Sequence, residues 1–295
     1  MKKLIKDKLR RGTLIGLATL MTATSTACSM ESDQIDNDQE IAIVEKDVEQ
    51  SAYERLQGLR KTKLATYMDT YKEEDGTKDK YLYAYEEDVL ELSIQMADAI
   101  KEHFESMGAI HWTSDDKKKF WPDDIGYTVT AIAYRESSYR TNIVNDKGCQ
   151  GITCIKEEDL MDSLDNWLTT DRWGDGVKYI SFDADKVDML NPTTCIEYTY
   201  YSIGYHLAHW YKHFNKNRGK ASVWDTIEYS EDLQERLIIA THLFGIGNME
   251  ASIYKRPNQK GKIVPLKEYI YSDYVEDVLA KKQELIHNYK HNLNR

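Results

Sequence analysis

One periodicity constrains this chain more than any other feature. Between residues 85 and 107, Val89, Leu92, Met96, Ile100 and Phe104 recur every three or four positions. That spacing lines one face of an α-helix, and such a face must be buried against other elements. Gly108 follows where a helix-ending glycine sits. The same period returns downstream. A helix is expected from about Asp123-Asp124 to Ser137, with Ile125, Val129, Ile132 and Ala133 as its stripe. Asn191-Pro192, a capping residue followed by proline at the first helical position, opens a long helix to about Phe214. Ser230-Glu231-Asp232 opens another over 231–244, and 270–289 is again amphipathic. Leu56, Leu59, Leu64 and Met68 make 52–72 read as a helix, and 73–80 as a loop. No period-2 alternation is long enough for a core sheet, and no internal repeat is present. Only 4 prolines in 295 residues leave room for long uninterrupted helices. The expected fold class is mainly α.

The charge is unevenly placed. Lys and Arg total 39 against 50 Asp and Glu, a net of -11, which disfavours holding nucleic acid phosphates. Yet Lys2, Lys3, Lys6, Lys8, Arg10 and Arg11 crowd the start of the chain with one acid, Asp7. A short apolar run, Gly12 to Met21, follows. It is shorter than the ~20 residues a membrane span needs, and it closes on Ser25-Thr26-Ala27-Cys28. This order fits a signal peptide over 1–27, cleaved after Ala27. Cys28 then stands where a bacterial lipobox carries its lipidated cysteine, although Ser25 replaces the usual leucine. The expectation is an exported envelope protein, lipid-anchored through Cys28 to the outer face of the cytoplasmic membrane. Residues 28–50 are acidic, poor in aromatics, and read as a tether. Residues 51–118 read as a helical N-terminal segment, and 119–295 as the principal domain.

The four cysteines, Cys28, Cys149, Cys154 and Cys195, form no disulfide framework. A Cys149–Cys154 bridge is open in an oxidising space. His206, His209 and His213 share one helix face, but Tyr205 and Trp210 lie among them and no His-Glu-x-x-His occurs, so a polar face is expected and no metal or cofactor. The chain holds 21 tyrosines and 6 tryptophans, more than a core needs, so some can stack on sugar faces.

The stretch with most chemical content is 131–155. Glu136 ends an apolar helix, one turn beyond Ile132 and Ala133. A carboxyl there is partly desolvated, which favours its protonated form, and a protonated carboxyl is what a general acid for glycosidic cleavage must be. A glutamate pairing with Arg135 or Arg140 on a surface has the same composition. Spacing separates the two readings. Glu136-Ser137-Ser138-Tyr139 is followed by Gly148-Cys149-Gln150-Gly151-Ile152-Thr153-Cys154-Ile155. Asn191-Pro192 with Ile196 comes next, then Ala240-Thr241-His242-Leu243-Phe244-Gly245-Ile246-Gly247-Asn248. In this order the segments resemble the catalytic core of the soluble lytic transglycosylase family, whose fold is shared with goose-type lysozyme. The resemblance covers about 120–255. Thr153 and Cys154 stand where the family has Met-Gln, and His242 and Leu243 where it has Tyr-Asn.

The resemblance implies a lysozyme-like transglycosylase domain acting on peptidoglycan glycan strands, with Glu136 as the catalytic residue. One glutamate serves as acid and then as base. It protonates the bond between N-acetylmuramic acid and N-acetylglucosamine. It then deprotonates the muramic C6 hydroxyl, which closes a 1,6-anhydro ring. A retaining or inverting hydrolase needs a second carboxylate at a set distance, and only Asp146 follows closely in the motif. By the same resemblance Ser137 orients Glu136 and Tyr139 packs beside it. Gln150, Gly151, Ile152, Cys154, His242 and Phe244 then belong to the sugar groove. His242 can donate a hydrogen bond as the family's tyrosine does. Two rival readings are a glycan-binding or scaffold lipoprotein with an altered site, and a goose-type lysozyme that uses water.

Overall fold

The computed structural model describes residues 54–72, 76, 78–106, 122, 124–156, 187–217, 230–258 and 260–293, all within the compact unit Ile43–Arg295. The expected signal peptide, Cys28 and the expected tether lie outside them. So do Trp167 and Trp173, and the side chains of His209 and His213.

The architecture is mainly helical. Residues 54–60 are helical, after which β1 (Thr66–Lys72) and β2 (Lys78–Ala84) form an antiparallel hairpin with Thr66 opposite Ala84 and Lys72 opposite Lys78. Helices α1 (Glu86–Ser106), α2 (Ile125–Ser137), α3 (Pro192–Asn217), α4 (Glu231–Phe244), α5 (Ile246–Ile253), α6 (Leu266–Ile270) and α7 (Asp273–Leu293) follow. A short pair, β3 (Cys149–Gln150) and β4 (Ile155–Lys156), sits between α2 and α3. Among the described residues, no helix is long and apolar enough to cross a membrane.

The helical reading of 52–72 therefore needs correction. It holds over 54–60 and fails over 66–72, which is strand. Thr66, Tyr67 and Thr70 favour strand, but all the residues from Thr66 to Thr70 are exposed. With no buried face from Thr66 to Thr70, β1 carries no alternation to read there.

Helix α2 is the hub. Residues Ile125 to Ala133 are buried without a break, as expected of a helix packed on every side. Ile125, Val129 and Ala133 join a core with α1 and α3. Tyr127, Ala131 and Ile132 join a second with α4 to α7. Each large apolar side chain so buried contributes about 1.5–3 kcal/mol. At Gly126 the backbones of α1 and α2 nearly touch: a Cβ would meet the Ile94 Cα at 2.9 Å. Buried polar groups on α2 are satisfied. Thr130 donates to the Gly126 carbonyl at 2.8 Å, and Thr128 donates to Glu235, which also pairs with Lys282 at 2.6 Å.

The helix starts follow their caps. Ser230 Oγ accepts from the Leu233 N–H at 3.1 Å, and Asn191 Oδ1 from the Thr193 N–H at 3.0 Å. The N-terminal segment is fastened to the rest. Arg60 forks onto buried Glu197 on α3 at 2.7 and 2.9 Å. The Ala84 N–H donates to the Tyr139 carbonyl at 3.0 Å, and the Thr141 N–H to the Leu82 carbonyl at 2.8 Å. The hairpin thus flanks the chain just after Glu136.

Candidate active site

Glu136 is the penultimate residue of α2, half-buried where that otherwise enclosed helix reaches the surface. The helix stops because Ser138 and Tyr139 both take left-handed backbone, φ 54 and 66. The Ser138 N–H closes on the Tyr134 carbonyl at 2.7 Å, satisfying a helix-end acceptor.

The Gly148–Ile155 loop lies against this helix end. Gly148, at φ +79, makes the turn, and Asn145 braces it by accepting from the Cys149 N–H at 3.0 Å. Gly151, at φ +75, packs where a Cβ would stand 2.1 Å from the Met189 carbonyl oxygen. Only glycine fits there. Buried Ser137 clamps loop to helix, its Oγ lying 2.7 Å from the Ile152 carbonyl and 3.0 Å from that of Ala133. From α4, His242 Nε2 donates to the Thr153 carbonyl at 2.9 Å. Helix end, glycine loop and the 240–248 segment thus meet in one place.

Around the carboxyl itself, Tyr274 donates its phenolic proton to Glu136 Oε1. Tyr274 comes from the first turn of α7, and burial together with the Glu136 charge pushes its phenol well above the ordinary range. Three residues on, Asp277 accepts from Arg135 at 3.0 Å, and the Arg135 guanidinium lies over the Tyr274 ring at 5.5 Å. Residues 135 and 136 are therefore both joined to the start of α7. Cys154, in left-handed backbone at φ 55, is the other neighbour. Burial, then the Glu136 charge, raises its thiol above the usual range. Glu136 thus has a phenol and a thiol as neighbours, and both stay protonated.

The other expected groove residues are placed differently. Tyr139 is buried, and its hydroxyl donates to Glu86 Oε2 on α1 at 2.9 Å, where Lys281 also pairs at 2.9 Å. Ser137 touches backbone carbonyls rather than the Glu136 carboxyl. Ile152 is fully buried core. Gln150 is half-buried with its backbone in the β3–β4 pair. Phe244 packs on Tyr269 with ring centroids 4.9 Å apart. Asp146 is exposed on the turn before Gly148. Among the described residues, no group of three or more His, Cys, Asp or Glu could hold a metal ion.

Tyr274 is the residue the sequence reading missed. In sequence it is one more apolar-stripe position of α7, alongside Val278 and Leu285. It meets Glu136 across 138 residues of chain. The chain matches no family model, no curated protein and no solved structure.

Proposed function

We propose that this protein is a peptidoglycan lytic transglycosylase with a lysozyme-like catalytic domain, and that Glu136 is its single acid–base. The observation that carries the reading is the convergence on Glu136. Three separated motif segments are joined by the Ser137 and His242 hydrogen bonds, with Tyr274 on the carboxyl. Glu136 protonates the glycosidic oxygen between the muramic and glucosamine rings. The Tyr274 phenol then supports the carboxylate left behind. That carboxylate removes the proton from the muramic C6 hydroxyl, whose oxygen attacks the anomeric carbon and closes the anhydro ring. The substrate supplies the nucleophile, so no second carboxylate is required. Export and a lipid on Cys28 hold the enzyme at the outer face of the cytoplasmic membrane. Replacing Cys28 with Ser should move it from the membrane fraction to the soluble one.

The test is digestion of purified peptidoglycan by wild type and Glu136→Gln, with products read by mass spectrometry. Anhydromuropeptides from the wild type alone are expected. Reducing-end products would reassign it as a hydrolase. A second reading, a glycan-binding scaffold with an altered site, draws on Tyr139 and His242, whose polar atoms bond within the fold. It predicts sedimentation with peptidoglycan and no soluble products.

A further inference from the structure

Two thiols flank the turn that faces Glu136, and the proposed mechanism uses neither as a reacting group. We propose that Cys149 and Cys154 are a reversible dithiol–disulfide pair that latches this turn.

Both are free cysteines and both are half-exposed. Cys149 is close enough to act on the Cys154 thiol, as Glu136 does from the other element. Asn145 holds both residues: its Oδ1 accepts from the Cys149 N–H at 3.0 Å, and its Nδ2 donates to the Cys154 sulfur at 3.3 Å. The antiparallel pairs Cys149 with Lys156 and Gln150 with Ile155 fix the two ends of the turn. A disulfide needs its sulfurs about 2.05 Å apart, a separation that rotation of the two side chains reaches across a turn this short. Cys195 differs in kind. It is buried and its sulfur lies 3.1 Å from Thr153 Oγ1, where an oxidant has no approach.

The oxidant is a low-molecular-weight disulfide. The Cys149 thiolate attacks one of its sulfurs, the S–S bond breaks, and one thiolate leaves. Cys154 then gives its proton to solvent and its sulfur attacks that of Cys149, expelling the second small thiol. Two protein thiols are oxidised and one small disulfide is reduced to two thiols. Cys149 attacks first because burial and the neighbouring Glu136 charge keep Cys154 protonated. The turn so closed carries the Ile152 and Thr153 carbonyls that hold Ser137 and His242. It also loses the neutral thiol beside Glu136. Any effect on catalysis rests on the proposed role of Glu136; the pair itself does not.

The test uses the full chain, reduced and then equilibrated with oxidised glutathione. Remaining thiols are blocked with N-ethylmaleimide and the peptides mapped by mass spectrometry. Both alkylation sites at 149 and 154 should be lost together, through an internal disulfide that dithiothreitol reverses. In Cys149→Ser, Cys154 should instead be alkylated or carry one glutathione. Alkylation of both cysteines in the oxidised wild type, or a separate glutathione on each, overturns the pair. Muropeptide release should fall on oxidation of the wild type, recover with dithiothreitol, and be redox-insensitive in Cys149→Ser. Equal, measurable release from both wild-type forms overturns the latch. A disulfide that forms in protein releasing nothing in either state supports the pair and counts against the transglycosylase reading.

Discussion

Replacing Gly151 with alanine tests whether the loop facing Glu136 is held by close packing or by backbone preference alone. Two costs are separable. Alanine at φ +75 is strained by about 1–2 kcal/mol relative to glycine. Its Cβ would also stand 2.1 Å from the Met189 carbonyl oxygen and 2.8 Å from Cys195 Sγ, where ordinary contact begins near 3.4 Å. Met189 is buried and Cys195 belongs to the first turn of α3, so neither yields freely. Such overpacking adds about 1–3 kcal/mol. The total for Gly151→Ala is about 2–5 kcal/mol. Gly148 is the internal control. Its φ is +79, but nothing lies within 4 Å of a Cβ there, so Gly148→Ala costs only the first term, about 1–2 kcal/mol. Urea unfolding followed by circular dichroism gives both values, provided the slope is unchanged. Gly151→Ala should be the worse variant by about 1–3 kcal/mol. Equal midpoints for the two would refute the close approach of loop to α3.

Ser138→Gly should raise stability by about 1–2 kcal/mol, because Ser138 caps α2 in left-handed backbone at φ 54; an unchanged or lowered melting temperature counts against this. Lys282→Met should cost about 3–5 kcal/mol, since it strands the Glu235 carboxyl that Lys282 meets at 2.6 Å; a near-neutral midpoint would show that water reaches the pair. Glu136→Ala leaves the buried Tyr274 hydroxyl without its acceptor, a loss of about 1–3 kcal/mol that adding Tyr274→Phe should largely restore; additive losses in this cycle would deny the contact. Alkali should unfold the chain. Burial pushes the Tyr139, Tyr200, Tyr201 and Tyr274 phenols up, with the Glu86, Glu197 and Glu136 charges adding to it at Tyr139, Tyr201 and Tyr274. The folded state therefore binds their protons more tightly. Its stability is intact below the unfolded value near pH ~10 and is lost as pH rises above it, by about 5 kcal/mol per unit for four such groups. Tyrosinate absorbance for these four rising before ellipticity is lost would contradict this.

Helices with local signals were legible in the sequence. Asn191 and Ser230 act as the caps their identity implied, and the three-to-four spacing of 85–107 is α1 to within a residue or two. Helices α5 and α6 are too short to show a period. The hairpin was hidden because β1 buries no side chain from Thr66 to Thr70, as Met68 at 65 % exposure illustrates. Helix α2 looked one-sided because Thr128 and Thr130 are polar, yet both are enclosed with their hydroxyls bonded. At the site, the glycines were legible because a left-handed turn and a backbone contact leave few other residues possible. Tyr274 was not, because its pairing with Glu136 depends on how α7 docks on α2. Tyr139 was read as a neighbour of Glu136, but no local pattern told that its hydroxyl would turn to Glu86.

The placement of His242 and Tyr274 bears on how one carboxyl could both give and take a proton. A histidine against Glu136 would bring a second group that titrates between pH 5 and 8, and the proton could rest on either. Here His242 Nε2 is engaged with the Thr153 carbonyl, so its ring braces the loop. The phenol on the carboxyl comes instead from Tyr274 of α7. A phenol held protonated suits both halves of the proposed reaction. It donates to the carboxylate after Glu136 has released its proton, and it gives up none of its own when Glu136 takes one back. Cys154, also held neutral, adds no competing charge. Neither neighbour therefore competes for the proton that the proposed reaction moves. In the proposed reaction, where one glutamate is acid and then base, no further titrating group is then needed beside it.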